Sequence, residues 1–98
     1  MIFITRLESR KRIKDRNREY VWKYKLSHPC VECMERDVRL LDFHHRNPDK
    51  KNKNISRLVK DGASLKTLQK EINKCDVLCI RCHRLKHWSG YIYMGNYA

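Results

Sequence analysis

Two CxxC pairs, Cys30-Val-Glu-Cys33 and Cys79-Ile-Arg-Cys82, constrain this chain more than any other feature. Each pair brings two sulfurs to one side of a tight turn. Four sulfurs complete a tetrahedral shell around one ion such as zinc, which makes the site structural and leaves no position for a substrate. The pairs are far apart in sequence, so a fold that satisfies both must bring an early turn back onto a late one. A chain of 98 residues needs such a staple, because it buries too small a fraction of its surface to rely on a core alone. Charged residues make up 35% of it and apolar residues 41%, so that core is thin.

The chain has five cysteines, an odd number that argues against a disulfide framework. In the opening MIFITRLESRKR the few apolar residues precede the charges, and no small-residue cleavage site follows. A cytoplasmic protein with reduced thiolates holding zinc is therefore expected, in preference to buried free thiols or a redox pair. Cys75 has no partner at knuckle spacing and is expected in the core as a small apolar residue.

Lys and Arg total 23 against 11 acidic residues, a formal net charge of +12. Such an imbalance points to a polyanionic partner, with nucleic acid first. No apolar run reaches the roughly 18 residues of a spanning helix, so no membrane partner is expected. The positive charge gathers in two places. One is a stretch from Arg6 to Leu26, rich in helix formers and free of Gly and Pro, which predicts a long basic helix carrying Arg10, Lys11, Arg12 and Lys14. The other is the segment Arg46 to Asn54, whose Asn, Pro, Asp and Lys predict an exposed loop with Lys50, Lys51 and Lys53. Trp22, Tyr20 and Tyr24 could stack on unpaired bases, although aromatics in a helix more often serve the core.

Between these landmarks the pattern predicts a strand over Val38 to His44 and a helical turn at Ile55, Leu58 and Val59. A helix capped by Ser64 follows, with Leu65, Leu68 and Ile72 on one face. CDVL, Cys75 to Leu78, reads as a second strand, Ile80 to Trp88 as a helix, and Tyr91, Tyr93 and Tyr97 belong to an aromatic tail. The class is α+β in a single domain: a basic N-terminal helix over 1–27, a zinc-stapled core over 28–90 and the tail over 91–98.

The remaining chemistry is histidine. His44 and His45 stand together in LDFHHRNP, and His83 and His87 stand at i and i+4 in CHRLKH, where a helix stacks both imidazoles on one face. In order, the chain presents CVEC, LDFHH, a Lys-rich loop, KCDVLC and CIRCHRLKH. Over roughly Cys30 to His87 this resembles the HNH endonucleases of the ββα-metal type, particularly the small four-cysteine zinc versions common in phages and bacteria.

That resemblance implies a metal-dependent DNA endonuclease or nickase with weak sequence preference, leaving a 5′ phosphate and a 3′ hydroxyl. By position it makes His45 the general base that takes a proton from the attacking water. It makes His44 and His83 the holders of one divalent cation such as Mg2+ or Mn2+, with His87 a third ligand. The family's middle Asn usually lies five residues before the second knuckle, where this chain has Lys74. Either Lys74 braces the loop in its stead or a one-residue shift recruits Asn73. A zinc-stabilised DNA-binding module without catalysis is the alternative, favoured by the missing Asn, and RNA is a third possible ligand.

A geometric condition follows. Successive side chains of a regular strand point to opposite faces, so a site shared by His44 and His45 requires the strand to break between Phe43 and Arg46. If the strand instead runs through His45, Asp42 and His44 share a face and become the rival ligand pair.

Overall fold

The computed structural model describes residues 5–88. The tail with Tyr91, Tyr93 and Tyr97, and the last two residues of the expected core, lie outside them. Four helices and one two-stranded sheet make up the regular structure of the described residues, an α+β arrangement as the sequence pattern predicts.

The first helix, α1 (Arg6–Ser27), begins at a capping box: the Glu8 N–H donates to Thr5 Oγ1 at 3.1 Å and the Thr5 N–H donates to Glu8 Oε2 at 3.4 Å. It ends before Pro29. Its one fully buried residue is Asn17, whose Nδ2 donates to the Ala63 carbonyl at 2.9 Å while Arg16 donates to its Oδ1. A buried amide is retained only where it is hydrogen-bonded, so this contact pins the middle of α1 to the turn at Gly62. The turn needs glycine because its φ is +70°. Beyond Asn17, Tyr20, Val21 and Tyr24 pack α1 onto the domain.

Two strands, β1 (Leu41–His45) and β2 (Cys75–Cys79), pair antiparallel with Leu41 opposite Cys79, Phe43 opposite Val77 and His45 opposite Cys75. β1 starts three residues later than the sequence pattern predicts. Asp37 caps a 3₁₀ turn over Val38–Leu40, accepting from the Arg39 N–H at 3.0 Å, and so diverts the backbone before Leu41. The long connection between the strands carries α2 (Ile55–Lys60) and α3 (Leu65–Ile72), the latter capped by Ser64, which accepts from the Thr67 N–H at 3.2 Å. α4 (Ile80–His87) follows β2 without a break, with Cys79 as its N-cap.

Two small cores result. Cys30, Leu41, Val77, Leu78, Cys79 and Cys82 form one around the four-sulfur site. Ile55, Leu58, Val59, Leu68, Ile72 and Cys75 form the other beneath α2 and α3. Tyr24 and Phe43 pack against both and join them. Cys75 thus lies in the apolar core, as expected. Burial, with the Glu71 charge adding, pushes its thiol up to about 11, which leaves it neutral and inert.

The expected break in the first strand does not occur. β1 stays paired through His45, and the Arg46 N–H still donates to the Lys74 carbonyl at 3.1 Å. The Arg46 guanidinium clamps this end, donating to the carbonyls of Cys75 and Asn73 and pairing with Asp76. Only after this clamp does Asn47 turn the chain, accepting from the Asp49 N–H at 3.0 Å.

Candidate metal and histidine site

The first knuckle closes through a turn in which the Met34 N–H donates to the Cys30 carbonyl and the Cys30 N–H donates to the Glu35 carbonyl, both at 2.9 Å. Met34 adopts φ 66° to complete it. The Val31 N–H then ties the knuckle to β2 through the Val77 carbonyl at 3.0 Å. The second knuckle is the β2–α4 junction itself, where Cys79 Sγ accepts from the Cys82 N–H at 3.4 Å.

The four sulfurs of Cys30, Cys33, Cys79 and Cys82 lie within 4.8 Å of one another, and Cys33 and Cys79 approach to 3.5 Å. Sulfurs bound tetrahedrally at about 2.3 Å stand roughly 3.8 Å apart, so this cluster can hold a metal such as zinc. Burial resists ionisation of Cys30, but backbone N–H donors of Cys79, Cys33 and Glu32 outweigh it and bring its thiol down to about 6. The Cys82 N–H lowers the Cys79 thiol too, whereas hydrogen bonding to Cys79, with burial, pushes Cys82 up to about 12, so the thiolate, the form that binds metal, is favoured at Cys30 and Cys79.

The unbroken strand separates the histidine pair. His45 shares a face with Phe43 and Leu41, whereas His44 shares the opposite face with Asp42. On that second face α4 brings up His83 and His87, and the ring nitrogens of His44, His83 and His87 lie within 4.8 Å of one another. The His83 and His87 Nε2 atoms are 3.1 Å apart, the spacing of two ligands bound to one ion at about 2.1 Å. Burial, followed by the neighbouring His83 and His87, lowers the pKa of His44, favouring the neutral ring that a ligand needs. Asp42, the rival ligand, lies behind this trio: its Oδ2 is 3.4 Å from His83 Nδ1, the placement of a carboxylate that orients a ligating imidazole.

His45 turns the other way and meets Glu71. Its Nε2 lies 2.7 Å from Glu71 Oε2, and the two side chains are only 8% and 4% exposed. Glu71 also accepts from the Asn52 N–H at 3.1 Å and from Lys74 Nζ at 3.1 Å. Burial alone would raise the Glu71 carboxyl, yet these donors hold it below its ordinary value. The carboxylate fixes the proton of His45 on Nε2 and leaves the Nδ1 lone pair free. Nδ1 has no hydrogen-bond partner among the described residues, and no buried side-chain nitrogen or oxygen there is unpartnered, so Nδ1 reaches solvent.

Lys74 occupies the place of the expected Asn. It donates to the Lys50 carbonyl at 3.0 Å as well as to Glu71, and so braces the loop that follows the histidine pair. Asn73 takes part through its backbone carbonyl, which accepts from Arg46. Glu71 is the residue that sequence reasoning missed. Its one readable signal is an acid at i+3 from Leu68, beside the apolar stripe of α3.

One cleft is lined from both faces of β1, by His45 and, of the trio, by His83, whereas His87 lines a neighbouring hollow with His83 and Trp88. Because the sheet has two strands, the outer edge of β1 is uncovered, and a cleft of about 680 Å³ runs along it between α1 and α2. His45 and Phe43 line it from one face of the strand, Asp42 and His83 from the other. Arg18, Lys25 and Lys60 add positive charge to its walls. Arg10, Lys11, Arg12, Lys50, Lys51 and Lys53 are exposed and Lys14 is half-buried, and none of them lines this cleft. His28 stacks on Tyr24 at the end of α1, 3.8 Å between centroids, with no tie to either cluster.

No helix among the described residues is long and apolar enough to cross a membrane. Comparison with family models, with curated proteins and with solved structures returns no match.

Proposed function

We propose that the chain is a metal-dependent DNA endonuclease of the HNH, ββα-metal type, cutting one strand at a time. The observation that carries this reading is the single cleft onto which both the Glu71-held His45 and the His83 edge of the histidine trio open. Cys30, Cys33, Cys79 and Cys82 hold a structural zinc. His44, His83 and His87 hold the catalytic divalent cation, with Asp42 orienting His83. Three imidazoles suit a later first-row transition ion such as Ni2+ better than Mg2+ or Mn2+, which prefer oxygen. When bound, the cation supplies Lewis-acid neutralisation of charge on the phosphate and the leaving oxygen.

The chain's own residues supply the proton chemistry. His45 Nδ1 accepts a proton from water as the water oxygen bonds to phosphorus. The bond from phosphorus to the 3′ oxygen breaks, giving a 5′ phosphate and, after protonation from solvent, a 3′ hydroxyl. Glu71, ionised and buried beside Nε2, stabilises the imidazolium that forms, a charge-assisted hydrogen bond strengthened by its low-dielectric surroundings. Lys25 and Lys60 attract the phosphodiester backbone to the cleft.

A plasmid-nicking assay with Mn2+, Ni2+ and Mg2+ tests the reading beside His45→Ala. Relaxation by the wild type and its loss of at least a hundredfold in the variant is expected. Equal relaxation by both, or by neither, overturns it. The second reading, a DNA-binding module that keeps the fold without cutting, draws on Lys74 at the place of the motif Asn, and it predicts duplex binding with no nicking under any cation.

A further inference from the structure

Trp22 is an unexplained residue of α1. It is 52% exposed, and among the described residues it makes no hydrogen bond, ring contact or ion pair. Tyr20 and Tyr24, by contrast, turn inward and serve the core. A large indole left in water on a helix that has its own capping box and buried anchor contributes little to folding.

Its setting gives it a use. Arg18, Trp22 and Lys25, at i, i+4 and i+7, share one face of α1, and that face is a wall of the cleft that holds His45. The opposite wall, from α2 and the residue before it, offers Asn54, Ser56 and Lys60. The lining therefore combines an aromatic face with flanking cations on one side and hydrogen-bonding groups on the other. Asp42 is its one acid, and Asp15 pairs with Arg18 at 3.4 Å outside it. Lys25 reaches over the Phe43 ring, 5.3 Å from its centroid, so its charge is held inside the cleft and not spread into solvent.

We infer that the cleft takes an unpaired DNA strand, with a base stacked on Trp22 and the backbone following Arg18, Lys25 and Lys60 towards His45. A base has a π-face available for stacking only when its neighbours in the duplex have been lost, whereas a cationic groove alone accepts paired and unpaired DNA alike. Trp22 thus selects flaps, gaps or frayed ends over intact duplex. This rests on the nuclease reading for its direction towards His45, but the binding preference stands apart from cutting.

The test uses zinc-loaded full-length protein with no Mg2+, Mn2+ or Ni2+ added, so that binding is read without cleavage. In a Trp88→Phe background, leaving Trp22 as the only indole, a single-stranded oligonucleotide should quench the fluorescence and a duplex of the same sequence should do so far less. Trp22→Ala should weaken single-strand binding by about tenfold, leave duplex binding within twofold, and keep the slope of affinity against salt. Equal losses on both DNAs, or an unquenched Trp22 in the presence of bound single strand, overturn the inference. A nuclease-dead wild type that still shows the preference would refute the cutting mechanism and leave this inference standing.

Discussion

Replacing Glu71 by Gln is the sharpest perturbation of the histidine arrangement, because it keeps the volume and removes only charge and one acceptor. Oε2 accepts from both His45 Nε2 and the Asn52 N–H, while Oε1 accepts from Lys74 Nζ. An amide has a single oxygen. Turned towards the first pair, it sets its NH2 group against the Lys74 ammonium; turned away, it leaves His45 and Asn52 facing a donor. The first orientation costs less, since the Lys74 side chain is 32% exposed and can swing into water. The variant then loses one ion-paired hydrogen bond and the charge assistance of two others. Hydrogen bonds to charged groups contribute about 1.5–3 kcal/mol, and solvent screening at Lys74 brings the expected loss to about 1–2 kcal/mol.

Urea unfolding of the zinc-loaded protein at pH 7, followed by circular dichroism, measures that gap. The gap depends on pH with a definite sign. Glu71 has its carboxyl held below its ordinary value of 4.5, so its contribution is complete above that value and disappears as pH falls through the lower folded one. Acid also expels metal from the cysteines, but in both proteins alike. The difference between them should therefore be open at pH 7 and narrow as pH falls, over the range in which both keep their zinc. Histidine ring 15N shifts give a readout that mere packing would not move: His45 should carry its proton on Nε2 in the wild type and lose that bias in the variant. Nicking should slow by about 10- to 100-fold, part of what a general base contributes. A gap within about 0.5 kcal/mol, typical of an uninvolved surface site, together with an unchanged His45 tautomer, would refute the reasoning.

Cys33→Ser should abolish stoichiometric zinc and cooperative melting, since structural zinc contributes about 10 kcal/mol or more to small domains; metal analysis beside calorimetry checks it. Asp42→Asn should weaken Ni2+ binding at the histidine trio by about 10- to 100-fold with zinc content unchanged, as calorimetric titration of the zinc-loaded protein would show. Asn17→Ala should cost about 2 kcal/mol in urea, the loss of a buried amide's bonds to Ala63 and Arg16. Unchanged stability there would mean that α1 is not anchored at that point.

The parts of the fold that were legible in the sequence depend on local chemistry. Arg6 to Leu26 has no residue that disfavours a helix, Ser64 is a cap before an apolar period, and the two CxxC pairs announce their own turns. The end of β1 was not legible, because it depends on Arg46 reaching across to the carbonyls of Cys75 and Asn73, a contact between residues far apart in the chain. Pro48 marks where the ladder must already have stopped, and the strand uses the residues before it. Glu71 was hidden for a similar reason: in KEINK it looks like any solvated helix acid until the loop, β1 and Lys74 close over it.

The strand that failed to break also answers the problem that made a break necessary. Consecutive side chains on a strand diverge, and inside a wider sheet His44 and His45 would serve separate compartments. Here β1 has a neighbour on one side only, so a ligand lying along its outer edge can touch residues of both faces at once. A third strand on that edge would seal the cleft, and α1, crossing at a distance set by Asn17 and Tyr24, leaves it open. The four-sulfur site holds the other half of the geometry. Cys82 precedes His83 directly, Cys79 caps the helix that carries His83 and His87, and the first knuckle is tied to β2 through Val31. The position of the histidine trio relative to β1 is thus set by the cysteines, and loss of metal from them should scatter the trio.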